Sequence, residues 1–497
     1  MISNKKSEDT LQSPVQFLKA VLGPLPAEET LADYERWWEC EGRALSMAQD
    51  RAGTPWLQMF DLLGKRIDAV QCAPGYWTML RKGYREGLVW RAIKENSLIT
   101  PFQLGYVCAF NDPGLYCPYT VSLATLLALS KYGDEATKSR YVPMLLREDE
   151  SVWQGATWMT EAGSGSDLGG HVETVARLKG GRWLLTGEKY FTSNAIAELG
   201  VVAARPEGAP TGVRGLALFL TPKRRDDGEL NFCIRRIKDK IATRSVFTGE
   251  IELRDSEAHL LGKPEWGIYL ILEVLNCSRV ANAMASVALA QRAIADAFSF
   301  ARHRVAFGKP IIEHPLLRQQ FEERKATLKT ALALAWECVK VFNEIWRETP
   351  PYSEKFHLFR ILVHLAKYWT AEFAVQTAKW CMEVHGGIGT LAEFGVERWL
   401  REAMILAVWE GPAHRQILDG LEAMERKGAH QLLFEHIASG AEPKELKEMR
   451  AHVEAHLVLP TEAKEAGAET LFQALAPFTA RALFRKRSDV PRPRDSR

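Results

Sequence analysis

The chain has 497 residues, with 64 Lys and Arg against 62 Asp and Glu, a formal net charge of +2 and 46% hydrophobic residues. That length allows about two to four domains around a large buried core. The charge balance excludes a molecule that traps nucleic acid or membrane by its overall field.

Residues 1–14 (MISNKKSEDTLQSP) are polar, with Lys5 and Lys6 but no apolar run behind them. They read as a disordered start and not as a signal peptide. Residues 15–150 carry a helical pattern without a run of alternating strands and are expected to form an all-α N-terminal domain. Residues 120–132 (TVSLATLLALSKY) form its most apolar helix, Gly133-Asp134 breaks it, and a second helix runs over 135–146. Near Ser151 the texture changes. Segments 172–178 and 183–186 alternate around Lys179-Gly180-Gly181-Arg182, a hairpin signal. Segments 201–204, 215–221, 231–237 and 246–253 add short strands, so 151–262 read as an antiparallel β domain. Residues 263–424 return to helical spacing, in two long segments over 267–348 broken near Gly308-Lys309-Pro310, then 356–382 and 393–409. Four successive helices suggest a bundle. A helical extension over 425–480 follows, richer in glutamate than in basic residues. Residues 481–497 hold Arg481, Arg485, Lys486, Arg487, Arg492, Arg494 and Arg497 among prolines and read as a basic, mobile tail. The fold class expected is multidomain α+β.

The eight cysteines show neither a CxxC pair nor metal-ligand spacing and read mostly as reduced core residues. No stretch reads as long and apolar enough to span a bilayer. A cytoplasmic enzyme is the expectation.

The stretch richest in chemistry is 381–416, CMEVHGGIGTLAEFGVERWLREAMILAVWEGPAHRQ. A glycine loop at His385-Gly386-Gly387-Ile388-Gly389 precedes a helix in which Val396, Trp399, Leu400, Ala403 and Ala407 recur at helical spacing. Gly411-Pro412 stops it, leaving Glu410 at a helix C-terminus. The negative end of the macrodipole disfavours a carboxylate there and raises its pKa toward the range of a general base. On spacing alone, a solvated helix end is the simpler reading.

The order of these features resembles the C-terminal signature of the acyl-CoA dehydrogenase superfamily. By that resemblance Glu410 is the base that removes the α proton of an acyl thioester. Pro412, His414 and Arg415 depart from the usual pattern, and Pro412 removes a hydroxyl that usually helps hold the flavin. Further segments carry the same resemblance. Residues 159–167 (MTEAGSGSD) are similar to the family segment that runs beside the isoalloxazine ring and substrate, which implicates Met159, Thr160, Gly165 and Ser166. Residues 187–194 (GEKYFTSN) are similar to the family's Gly-x-Lys-x-aromatic-x-Thr-Asn. Phe191 would flank the ring, with Thr192 and Ser193 beside it. In 304–311 (RVAFGKPI), Arg304 and Phe307 match residues that reach a flavin held mainly by a neighbouring subunit. Glu383, where glutamine is usual, and Gly386 and Gly387 match the adenosine side. Arg279 and Ser166 match positions near the substrate.

The resemblance implies FAD as cofactor, an acyl-CoA substrate with β-hydride transfer to the flavin, and electron-transfer flavoprotein or a similar acceptor. It also implies a homodimer or homotetramer. Residues 61–68 with Pro74 and Trp77 resemble the AidB-like, adaptive-response branch, for which a DNA-binding, protective or acyl-lipid-binding role is the alternative. DNA binding needs a basic footprint. Only 481–497 supply one, so the expectation is weak binding at most.

Overall fold

The structure, a computed structural model, describes residues 10–488. The chain divides into two compact units.

One unit comprises residues 38–104 and 112–278. Its helical part centres on Pro113–Tyr132, buried on nearly every side. Asp112 caps this helix by accepting from the Leu115 amide at 2.9 Å, and Pro113 occupies the first turn, where a missing N–H costs nothing. The expected all-α N-terminal region is not purely helical. Strands β1 (Trp56–Phe60) and β2 (Arg66–Gln71) pair antiparallel. Asp61 makes the turn by accepting from the amides of Leu63 and Lys65, both at 2.9 Å, with Gly64 at φ +78°. Residues 61–68 are thus a hairpin turn and its second strand.

The β domain holds β3 (Gly155–Trp158), β4 (Val175–Lys179), β5 (Arg182–Ser193), β6 (Leu199–Pro206), β7 (Ala217–Pro222), β8 (Cys233–Ile237) and β9 (Thr248–Leu261). Its order is β3-β6-β4-β5-β9-β7; β7 also pairs β6, closing the ladder, and β8 pairs β9. β4 and β5 meet across Gly180-Gly181, both at positive φ, where glycine carries no steric penalty. The sheet is not wholly antiparallel as expected, because β6 runs parallel to both β3 and β4. β5 also runs on to Ser193, which puts residues 187–193 on a strand.

The other unit comprises 10–37, 105–111 and 279–488. Its long helices are the 279–303 portion of Gly267–His303, then Pro315–Ile345, Glu354–His385 and Val396–Val408. Ala413–Lys427 packs on the same central Glu354–His385 helix, so the bundle has a fifth member. Pro264–His303 passes a length-and-composition test for a membrane-crossing helix, but 83% of its most apolar window is buried by the protein itself, as in a core helix, so it is no clear membrane span.

Residues 10–14 and 481–488 are more ordered than their composition suggests. Leu11 is buried, Gln12 Nε2 donates to the Ala295 carbonyl at 3.0 Å, and Gln291 Nε2 donates to the Leu11 carbonyl at 2.9 Å. Residues 10–14 therefore belong to the fold, and the rest of the expected disordered start lies outside the described residues. At the other end, Thr461–Ser488 is one helix, so 481–488 are not a tail. Ala482 and Leu483 are buried, Lys486 Nζ donates to the His436 carbonyl at 2.7 Å, and Arg487 donates to the Leu22 carbonyl at 3.1 Å. Arg492, Arg494 and Arg497 lie outside the described residues.

The extension is latched by Glu337, whose Oε1 lies 2.9 Å from His436 Nε2, with Lys340 Nζ 3.1 Å from Oε2. Burial opposes the charge, yet His436 and Lys340 outweigh it and hold the carboxyl down at about 2. A carboxyl depressed in the folded state stabilises above its unfolded pKa and loses that contribution as pH falls toward its folded value. Glu337→Ala is expected to cost on the order of 3 kcal/mol at pH 7 and progressively less between pH ~4.5 and 2. Denaturant unfolding of both proteins across that range measures it.

Candidate active site

The Val396–Val408 helix buries Val396, Trp399, Ala403 and Leu406 on one face, with Arg398 and Glu402 paired beneath them. It ends before the candidate base. Trp409 is extended and Glu410 adopts φ +61°, a left-handed conformation that an L-residue with a Cβ adopts only when its surroundings impose it.

Those surroundings are hydrogen bonds to the backbone of the turn. Glu410 O accepts from Arg279 Nε at 3.1 Å and Gln416 Nε2 at 2.9 Å. Gly411 O accepts from Gln416 Nε2 at 3.0 Å and Lys367 Nζ at 2.8 Å, and Lys367 also reaches Ala407 O at 2.9 Å. Since the Gln416 amide nitrogen donates twice, its oxygen accepts, and His364 Nδ1, 3.0 Å away, carries the proton. Burial pushes His364 down to about 3, which keeps the ring neutral. Asp419 completes the cluster, 3.3 Å from Arg279 and 2.5 Å from Arg415.

The Glu410 carboxylate has no hydrogen-bond or ion-pair partner among the described residues. Desolvation by the surrounding protein pushes its carboxyl up to about 7, against the opposing pull of Arg279 and Lys367. Burial is therefore the cause of the shift, not the helix dipole that the sequence suggests. An unpaired carboxyl titrating near neutrality on a fixed turn is equipped to accept a proton.

In the β-containing unit a second buried network ties the 159–167 segment to the 187–194 segment. Lys189 is 0% exposed; its Nζ donates to Glu161 Oε1 at 2.6 Å and Ala203 O at 2.7 Å. Glu161 also accepts from the Thr174 hydroxyl at 2.6 Å and the Glu173 amide at 2.7 Å. Burial works against this carboxylate, but Lys189 and the donors hold it below its ordinary range. The Tyr190 amide donates to Thr160 O at 2.9 Å, joining the two segments directly. On β5, Phe191 is 55% exposed, with the Lys238 ammonium 4.6 Å from its ring centroid.

The sequence is matched by the family described as "Acyl-CoA dehydrogenase, middle domain" over residues 156–256 and by "Acyl-CoA dehydrogenase, C-terminal domain" over 265–424. The "Adaptive response protein AidB N-terminal domain" matches 7–149. The chain belongs to the acyl-CoA dehydrogenase superfamily and carries the AidB type of N-terminal domain. It is 28% identical over 398 residues to acyl-CoA dehydrogenase family member 11 of Caenorhabditis elegans, covering 76% of this chain and 64% of that protein. To the putative acyl-CoA dehydrogenase AidB of Escherichia coli K12 it is 28% identical over 397 residues, covering 77% and 71%. A solved structure named Bd2924 apo-form superposes with TM-score 0.84 at 28% identity, over 98% of each chain. ACDH-11 of C. elegans in complex with C11-CoA superposes equally, with TM-score 0.84 at 23% identity, over 97% of this chain and 88% of that one.

Members of this family bind FAD, and the residues present fit it. Neither Gly163 nor Gly165 has positive φ, and a Cβ at either meets nothing within 4 Å; Gly387 is alike. Among the described residues no neighbouring atom requires a glycine there, which suits backbone that a ligand approaches closely. Gly386 differs, since φ +62° at the end of the Glu354–His385 helix calls for glycine in its own right.

The remaining candidates divide by exposure. Thr160 and Ser193 are half-buried and Ser166 is exposed. Met159 is buried, and Thr192, 0% exposed, turns its hydroxyl inward without a partner among the described residues. Strand alternation explains this: Phe191 and Ser193 share the face opposite Thr192. Arg304 is exposed and Phe307 is 96% exposed, on a hairpin of Val305–Ala306 with Lys309–Pro310. Glu383 is exposed and pairs with Lys379. Arg279, expected near the substrate, is 4% exposed and binds Glu410 O and Asp419. That makes it a holder of the Glu410 turn.

Lys367, His364, Gln416 and Asp419 drew no attention as sequence. One signal was there for the first two. His364 and Lys367 lie three apart inside the otherwise largely apolar run 361–369, where unpaired polar side chains are costly.

Proposed function

We propose that the protein is an FAD-dependent acyl-CoA dehydrogenase in which Glu410 removes the α proton of an acyl thioester. The observation that carries this reading is the Glu410 carboxyl itself, unpaired and raised to about 7 on a turn gripped through its carbonyls. The α C–H bond breaks toward the Glu410 carboxylate, and the β hydrogen leaves with its electron pair, giving an enoyl thioester. FAD, when bound, supplies the two-electron oxidant that accepts that hydride at N5. Met159 to Ser166 and Phe191 to Ser193 are the residues proposed to line it, while Gly386 and Gly387 are proposed for the adenosine side of a neighbouring subunit's flavin. Glu161 and Lys189 hold the first two segments in register, so their backbone is set before a ligand arrives. Electrons then pass to an electron-transfer flavoprotein or a similar acceptor. The test is anaerobic flavin reduction by acyl-CoA in wild type and Glu410→Gln.

A DNA-protective role has less support. Of the basic residues beyond 480, Arg485 lies 3.7 Å from Glu445, while Lys486 and Arg487 donate to backbone carbonyls.

The exposed Arg304 and Phe307 favour assembly, because an arginine assigned to a neighbour's flavin acts only in an oligomer. Light scattering of the FAD-loaded protein is expected to give the mass of a dimer or tetramer. A monomer that retains FAD contradicts this.

A further inference from the structure

Lys367 lies in mid-helix on Glu354–His385 and is 1% exposed. Its two acceptors, Ala407 O at 2.9 Å and Gly411 O at 2.8 Å, flank Glu410 in sequence. We propose that Lys367 is a positioning residue for Glu410: one ammonium ties the last turn of the Val396–Val408 helix to the residue after the base, pins the left-handed turn between them, and brings a positive charge to the carboxylate. The inference rests on the reading of Glu410 as the base.

A purely structural lysine would need only its hydrogen bonds. Holding a C-terminal carbonyl and a turn carbonyl is a task that an amide can also perform. A buried ammonium is a costly choice for it, and burial brings Lys367 down to about 7 against the stabilising pull of Glu410. The two groups are therefore coupled across neutral pH, and each one's protonation depends on the other's.

Other charges face the pair. Arg279 comes from the Gly267–His303 helix, Arg360, His364 and Glu372 from the helix of Lys367 itself, and Arg415 and Asp419 from Ala413–Lys427. Arg279 and Asp419 are bonded to each other, and His364 stays neutral, with burial holding it at about 3. Lys367 is thus the cation near Glu410 whose charge changes at neutral pH.

The experiment is a pH titration of the protonated-carboxyl infrared band of the FAD-loaded protein, with Glu410→Gln identifying the band by its loss. In Lys367→Gln, which keeps a donor and removes the charge, the midpoint is expected to rise by about one to three units. Lys367→Arg, which keeps charge and donors, is expected to return it toward wild type. A second titration does not depend on how the Lys367 variants fold. The Lys367 ammonium, followed by NMR, is expected to titrate at lower pH in Glu410→Gln than in wild type. An unchanged carboxyl midpoint in Lys367→Gln, or an unchanged lysine midpoint in Glu410→Gln, overturns the proposal. Failure of the base assignment is read separately, as flavin reduction that survives in Glu410→Gln.

Discussion

Glu410→Gln is expected to bind FAD and acyl-CoA and to lose anaerobic flavin bleaching by ~10²–10⁴-fold or more, the range for loss of a general base. Glutamine keeps the size and hydrogen-bonding shape of the side chain but cannot accept the proton. The turn is held through the Glu410 carbonyl by Arg279 and Gln416, so the substitution leaves its scaffold in place. Only the ionised carboxylate is a base. With its carboxyl at about 7, the wild-type reduction rate should therefore rise as pH passes upward through neutrality. That limb should be missing from whatever rate remains in the variant. Stopped-flow absorbance across pH reads both effects. A solvated, idle glutamate makes the opposite forecast, an unchanged rate.

Lys189→Met is expected to cost about 3–5 kcal/mol, the usual consequence of stranding one partner of a buried ion pair. Glu161 would keep its amide and hydroxyl donors but lose its counter-charge. The Glu161 network also sets the position of the 159–167 segment, so FAD retention should fall with stability. Pairing Lys189→Met with Glu161→Leu removes the stranded charge and should recover part of the stability. FAD retention should not recover with it if the network positions the segment. Denaturant unfolding of the two singles and the double gives the coupling energy. A Lys189→Met protein as stable as wild type would show that the pair is incidental.

The elements most legible in the sequence were those built from local pattern. Helical spacing located the long helices, and Gly180-Gly181 marked the β4–β5 turn. The hairpin of β1 and β2 escaped because its strands are short and only half-buried, without clear alternation. Residues 481–488 differ from the sequence reading for another reason. Their basic residues suggest a solvated tail, yet Ala482 and Leu483 bury a stripe that continues the helix. Glu410 is singled out by its neighbours in sequence, but the physical cause of its raised pKa is not visible there. The macrodipole acts within the last helical turn, whereas the rise comes from burial by the surrounding protein, against the pull of Lys367 and Arg279, which grip the turn from far away in the chain. The Lys189–Glu161 pair was hidden similarly, since nothing local tells that a lysine on β5 points inward to a glutamate 28 residues earlier.

The activity proposed for this chain is oxidation of an acyl thioester with its own flavin. The direct measurement is anaerobic mixing of the FAD-loaded wild-type protein with acyl-CoAs from short to long chain, following the oxidised flavin absorbance. Bleaching by at least one of them, with formation of the matching enoyl-CoA, is the predicted result. Absorbance that stays unchanged with every chain length, in protein shown to bind the thioester, would rule out a dehydrogenase.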